Sequence, residues 1–291
     1  MDYRTLGRSG CAVSTLCLGT MTFGAETDEA GSHAQLDRFV EAGGTLVDTA
    51  DVYSAGISEE IIGRWLADRP ADVTEPVVLA TKGRFPTDNH PNGTGLTTRH
   101  LTRALDASLR RLGVDSVDLY QVHAFDPWTP LEETLRTLDG FIRAGKIRYY
   151  GLSNFTGWQL TKAVYLARAL NLAEPITLQP QYNLLVREIE WEIVPAVLDI
   201  GMGLLPWSPL GGTGGGGRKV GDEFAAFGEI AADHGVSPQQ VVLAWELSLS
   251  EHLIPIPGAR RPESIIDSAQ AADLVLSAEE LARCSATGGS R

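Results

Sequence analysis

Eight short apolar runs alternate with amphipathic helical patterns, and several end in chemically useful polar residues. Together these predict an α/β fold, a (β/α)8 TIM barrel with an N-terminal β-hairpin. The runs cover 16–20, 45–49, 77–82, 117–123, 147–152, 176–180, 203–206 and 253–256. Strands alternating with helices imply parallel pairing through right-handed crossovers. Eight such units within 291 residues suit one barrel domain over 1–291. Its active site would lie at the C-terminal ends of the strands. A doubly wound open sheet is the rival, but it wants a GxGxxG turn after an early strand. The stretch Leu18-Gly-Thr-Met-Thr-Phe-Gly24 lacks that spacing.

Residues 3–15 are expected to form the hairpin. The first helix is predicted over Asp28 to Glu41, with Leu36, Phe39 and Val40 as its apolar positions. Ser58 to Ala67 starts on a capping-box-like Ser58-Glu-Glu-Ile61, with the acid one or two places on rather than three. Thr97 to Leu112 places Leu101, Leu105, Leu109 and Leu112 on one helical face. Further helices are expected at Pro130 to Ala144, Gly157 to Leu170, Glu188 to Ile200 and Ser237 to Leu249. Gly145, Gly201 and Gly235 sit where C-caps would be. The run Gly211-Gly-Thr-Gly-Gly-Gly-Gly217 follows the seventh strand and is expected to be flexible.

Bulk composition narrows the function classes. Hydrophobic residues make up 43% and charged residues 21%, which suits a folded globular chain. The formal net charge of −13 argues against a nucleic-acid partner, because phosphates would be repelled. Cys11, Cys17 and Cys284 are odd in number and lack CxxC spacing, as expected of reduced cytoplasmic thiols. The start of the chain has no apolar signal-like core, and no apolar stretch is long enough to span a bilayer.

The chemistry is carried by Asp48, Tyr53, Lys82 and His123, which close or closely follow the second, third and fourth strands. Singly, a rim tyrosine or a core histidine needs no function. An acid, a phenol, an amine and an imidazole converging on one barrel face do. A Lys⁺ beside a Tyr stabilises its phenolate and is expected to lower its pKa, making a proton donor for a carbonyl. Asp48 would hold Lys82, and His123 would orient the carbonyl oxygen. His123 and Asp126 lie near each other, with His33, His90 and His100 elsewhere, but no spacing matches a zinc site, so no metal is expected.

The chain resembles the aldo-keto reductases over almost its whole length. The matching stretches are Asp48-Thr-Ala-Asp-Val-Tyr53, Ser58-Glu-Glu, Ala80-Thr-Lys82, Asp118-Leu-Tyr-Gln-Val-His123, Gly145-Lys-Ile-Arg148, Gly151-Leu-Ser-Asn-Phe155, Gln179-Pro-Gln-Tyr-Asn183, Pro206-Trp-Ser-Pro-Leu210 and Ile256-Pro-Gly-Ala259. The SNF, QYNLL and PWSPLGG motifs point to its bacterial branch. The resemblance implies a (β/α)8 barrel that reduces aldehydes or ketones with NADPH, less often NADH, with Tyr53 as proton donor. It places Gly19, Thr20, Met21 and Asp48 near the nicotinamide and ribose. It gives the carboxamide to Ser153, Asn154 and Gln179, and the stacking role to Trp207. Ser208, Pro209, Leu210 and Gly211 would follow the pyrophosphate. Gly258, Ala259 and Arg260 would meet the adenosine phosphate, where Arg260 and Arg261 suit a 2′-phosphate.

Two departures from the family pattern stand out. Ser264 and Ser268 occupy places where relatives often carry Gln and Asn, which weakens the adenine-side expectation. The segment Thr213 to Asp222 replaces a long loop, either as a shortened lid or because a segment is missing. Arg218 or Lys219 would be substitute pyrophosphate clamps. Phe23, Phe85, Phe125 and Trp128, with Tyr53 and Trp207, are the candidate walls of a substrate pocket, about half of them expected only to pack loops. The substrate and the oligomeric state stay open. The competing functions are a reductase of nucleotide-linked keto or enoyl sugars, an NADPH-binding regulatory subunit like the β subunits of potassium channels, and a lyase or isomerase on the same barrel.

Overall fold

The computed structural model describes residues 1–211 and 225–287. The expectations for the Gly-rich run beyond Gly211, and for Arg218 and Lys219, lie outside the described residues.

Strands β1 (Tyr3–Thr5) and β2 (Ala12–Ser14) form the antiparallel hairpin, in the register Tyr3↔Ser14 and Thr5↔Ala12. Its Leu6 and Val13 are buried against Cys17, Leu46, Leu119 and Ile254, closing the barrel interior where the strands begin. Seven parallel strands follow in chain order: β3 (Cys17–Gly19), β4 (Leu46–Asp48), β5 (Val78–Gly83), β6 (Val117–Val122), β7 (Ile147–Ser153), β8 (Thr177–Gln179) and β9 (Gly203–Leu204).

The eighth predicted strand, 253–256, closes the ring without forming a full ladder. Ile254 and Ile256 donate to Leu204 and Pro206 at 2.8 and 2.9 Å, while Cys17 and Gly19 donate to Pro255 and Pro257 at 2.9 Å each. The two prolines have no N–H, so bonds on the β3 side run one way only. Isolated bridges Gly19↔Gly258 and Leu204↔Leu253 complete the closure.

Helices α1 (Glu29–Glu41), α2 (Ile57–Asp68), α4 (Thr98–Leu112), α5 (Leu131–Arg143), α6 (Gly157–Ala169) and α9 (Pro238–Leu249) match the predicted segments, with the short α3 (Ala71–Thr74) after α2. On α4 all four predicted leucines are buried, and Gly113 caps the end in a left-handed conformation. The helix expected from Glu188 is instead a 3-10 turn at Glu188–Glu190 followed by α7 (Ile193–Ile200). Pro195 explains the break, because proline is tolerated only in a first turn and would clash with the carbonyl four residues back. Helices α8 (Ala225–His234), α10 (Pro262–Gln270) and α11 (Ala278–Ala286) lie outside the predicted set. The capping box of Ser277 and Glu280 that opens α11 was a visible signal for the last of them.

Candidate active site

Parallel register brings the polar residues together. Asp48 pairs with Gly19 and Ala80, Lys82 with Gln121, and Ser153 with Gln179. Alternation along each strand turns Asp48, Lys82, Gln121 and Gln179 into the barrel. There Lys82 Nζ donates to Asp48 Oδ2 at 2.5 Å, to the Thr49 carbonyl at 2.9 Å and to the Tyr53 hydroxyl at 3.2 Å. All three ammonium protons are used, so the fully buried lysine is satisfied as a cation. Burial disfavours its charge, but Asp48 and Tyr53 outweigh that, and its pKa stands above the ordinary lysine value.

The other Asp48 oxygen accepts from Gln121 Nε2 and Gln179 Nε2, both at 3.0 Å. Gln121 was not singled out as a site residue by the sequence. Its signal was its place in the strand that ends at His123, with its side chain on the inner face.

Tyr53 opens a 3-10 turn, Tyr53–Gly56, in which Ser54 and Ala55 take left-handed backbone angles. Ser54 Oγ fastens the turn to the Phe23 carbonyl at 2.7 Å. The expected lowering of the Tyr53 pKa is corrected by the structure. Burial raises it above the ordinary phenol value, and the pull of Lys82 is partly cancelled by the nearby Asp48 charge. The phenol is therefore fully protonated at neutral pH.

His123 stands edge-on to Tyr53, with ring centroids 5.9 Å apart, and against Phe85 at 4.8 Å. Burial, Lys82 and Arg84 push its pKa down to about 3, so the imidazole is neutral. Its buried Nδ1 has no partner among the described residues.

These groups open on a cleft of about 280 Å³. Gly19, Thr20, Met21, Asp48, Tyr53, His123, Ser153, Asn154, Gln179, Trp207, Ser208, Pro209, Leu210 and Gly258, all candidate site residues, line it. Thr22, Ile256 and Pro257 line it as well and were not foreseen. Asn154 and Ser208 both have φ of +54°, an uncommon conformation for residues with side chains. The indole N–H of Trp207 donates to Asn154 Oδ1 at 3.0 Å, which fixes the ring, and Asn183 Nδ2 holds the Ser208 carbonyl at 2.9 Å.

The remaining candidates sit elsewhere. Gly211, Ala259, Arg260, Ser264 and Ser268 do not line this cleft. Ser268 is buried, which removes it from easy contact with a ligand. Arg260 lies near the cleft's Gly258 end, and its Nε donates to Glu26. Phe23 is fully buried in the core and is no pocket wall. Phe125 packs edge-on against Phe155 at 5.3 Å, and Trp128 is 91% exposed outside the cleft. None of the four predicted aromatic walls lines the cleft; Phe85 packs on its His123, and the Phe23 backbone N–H donates to the carbonyl of its Thr20 at 3.0 Å.

The cleft's chemistry fits a nicotinamide dinucleotide. A fixed indole offers a stacking face, and Ser153, Asn154 and Gln179 are hydrogen-bonded to one another along the same cleft. Gly19 and Gly258 approach as neighbouring strands' ends, leaving backbone without bulk beside them.

Comparison with known proteins agrees with this. Residues 15–288 match the model of the Aldo/keto reductase family. An uncharacterized oxidoreductase of Bacillus subtilis, YrpG, is 36% identical, covering 97% of this chain and 94% of its own. A probable voltage-gated potassium channel subunit beta from rice is 34% identical over 94% and 92% of the two chains. Norsolorinic acid reductase of Aspergillus flavus is 33% identical over 96% and 79%. Each alignment runs to more than 300 positions, longer than this chain, so the relatives carry residues that it lacks.

The barrel and its cleft are thus those of an NAD(P)H-dependent oxidoreductase that reduces aldehydes or ketones to alcohols. The chain belongs to the aldo/keto reductase family.

Proposed function

We propose that this single-domain enzyme uses NADPH and that Tyr53 is its proton donor. The observation that carries the proposal is the single buried ammonium of Lys82 bonded at once to Asp48 and to the Tyr53 hydroxyl at the cleft. A bound nicotinamide supplies the hydride equivalent; the chain's own residues do the rest. Trp207 and the polar trio Ser153, Asn154 and Gln179 hold the ring and fix which face it presents. The substrate oxygen sits between the Tyr53 hydroxyl and the neutral His123 ring. As negative charge grows on that oxygen, Tyr53 passes its proton to it and the phenolate left behind is stabilised by Lys82. Asp48, held by Gln121 and Gln179, keeps the ammonium in place.

NADPH rather than NADH is favoured by Arg260 and Arg261, whose guanidinium groups suit a 2′-phosphate once Glu26 yields. The three unpaired cysteines support a reducing, cytoplasmic setting. The likeness to potassium channel β subunits keeps a second reading in view, a cofactor-binding protein with little turnover.

NADPH fluorescence titration, followed by absorbance loss at the NADPH band with a panel of aldehydes and ketones, separates the two. Binding with turnover is expected. Saturable binding with no turnover on any carbonyl would favour the regulatory reading, and no binding would sink both.

A further inference from the structure

A second cavity, of about 210 Å³, lies against α4 and ends at Asp51, two residues before Tyr53. Asp51 is 1% exposed, and neither of its carboxyl oxygens has a hydrogen-bond partner among the described residues. Its backbone N–H donates to the Lys82 carbonyl at 3.1 Å. Its neighbour Glu59, on α2, is fully buried but well served. It accepts from Thr81 Oγ1 at 2.5 Å and from Arg111 through Nε at 2.7 Å and Nη2 at 2.6 Å. Arg111 lines the same cavity as Asp51 but, of the two buried acids, is bonded only to Glu59.

Arg111 is also lodged against the turn that carries Tyr53. Gly56, the last residue of that turn, has φ of +95°, and a Cβ there would come within 2.8 Å of Arg111 Cδ and Nε. The Arg111 side chain thus packs directly on the turn, whose Ser54 and Ala55 are in left-handed conformations.

We propose that Asp51 is a positioning residue whose ionisation moves Arg111 and so loosens the Tyr53 turn. The inference rests on Tyr53 being the proton donor. With Asp51 protonated, Arg111 stays on Glu59 and the turn is held as described. With Asp51 ionised, two buried carboxylates share one guanidinium, and Arg111 is drawn off its seat on Gly56.

The surroundings set where this happens. Burial and the Glu59 charge raise the Asp51 pKa to about 7, opposed by Arg111, the nearby Val52 backbone N–H and Lys82. Tyr120 on β6, whose buried hydroxyl also has no hydrogen-bond partner among the described residues, feels the same charges: burial, Asp51 and Glu59 raise its pKa against Arg111. His100, Arg103 and Arg110 line the same cavity as Asp51, with Asp88 paired to Arg103 and Asp106 to Lys146. In the catalytic cleft burial, Lys82 and Arg84 hold His123 down near 3, and Tyr53 and Lys82 stand above their ordinary values. A neutral limb is therefore separable from the alkaline one of Tyr53.

The test is the pH profile of kcat at saturating cofactor and substrate, for the wild type, Asp51→Asn and Glu59→Gln. The wild-type rate should fall about tenfold between pH 6 and pH 8, as for loss of one required proton. Asp51→Asn, which imitates the protonated acid, should keep its low-pH rate through that range. Glu59→Gln removes the repelling charge and frees Arg111, so its limb should move to lower pH. A flat wild-type profile, or a limb unchanged in Asp51→Asn, overturns the proposal. If Asp51→Asn does not fold, an unshifted limb in Glu59→Gln overturns it. Retained reduction by Tyr53→Phe would instead remove the donor role, leaving the two failures distinguishable.

Discussion

The ammonium of Lys82 lies 2.5 Å from Asp48 and completes a contact of 3.2 Å to the Tyr53 hydroxyl, so the proposed proton donor is tied to a buried ion pair. Positive charge is held where a phenolate would form, while burial, helped by the paired carboxylate, keeps the resting phenol protonated.

Tyr53→Phe keeps the ring and removes the proton. Its kcat should drop by about 10²–10⁴, the usual worth of a positioned general acid. NADPH affinity, read by fluorescence titration, should stay close to that of the wild type. Equal loss of both would mean that Tyr53 serves binding rather than proton transfer.

Lys82→Met strands the Asp48 carboxylate in the barrel, with only amide donors left. Breaking a buried pair this way should cost about 3–5 kcal/mol. The double variant Lys82→Met with Asp48→Asn removes the stranded charge and should recover a large part of that. Urea midpoints of the wild type and both variants check this, and a double variant less stable than the single one would contradict it.

Arg260→Ala combined with Arg261→Ala should weaken NADPH binding more than NADH binding. A charge-assisted hydrogen bond contributes about 1.5–3 kcal/mol, which sets the scale of the expected discrimination. The ratio of the two dissociation constants is the readout. An equal effect on both cofactors would leave the preference for NADPH without support.

Glu246 lies fully buried on α9 with neither carboxyl oxygen bonded among the described residues, and burial holds its pKa well above the ordinary value. The folded state thus keeps the proton where the unfolded chain loses it. Stability contributed by this group is lost as pH rises above the unfolded value near ~4.3, by up to about 1.4 kcal/mol per unit. Glu246→Leu should therefore raise the melting temperature, and more at pH 7 than at pH 4. A variant equally or less stable at both pH values would show that the carboxyl has a partner the structure does not reveal.

Much of the fold was legible because period and punctuation are local. The leucines of α4, the cap glycines and the apolar runs of the strands each announce themselves within a few residues. The four candidate catalytic residues were legible for the same reason, since each sits at or just past a strand end on a barrel whose strands open on one face. The break before α7 was also local, in Pro195, and was passed over.

What only the tertiary structure decided are relations between distant residues. Chain position says nothing of Gln121 and Gln179 meeting on one Asp48 oxygen, nor of Arg111 leaning on Gly56. Aromatic residues near strand ends look alike in sequence, yet Phe23 is buried in the core and Trp128 is exposed, because packing of whole loops sets their depth. The Tyr53 pKa is decided in the same way. A lysine nearby in sequence pattern predicts a lowered value, but burial and the partner carboxylate reverse its sign, and both are properties of the closed barrel alone.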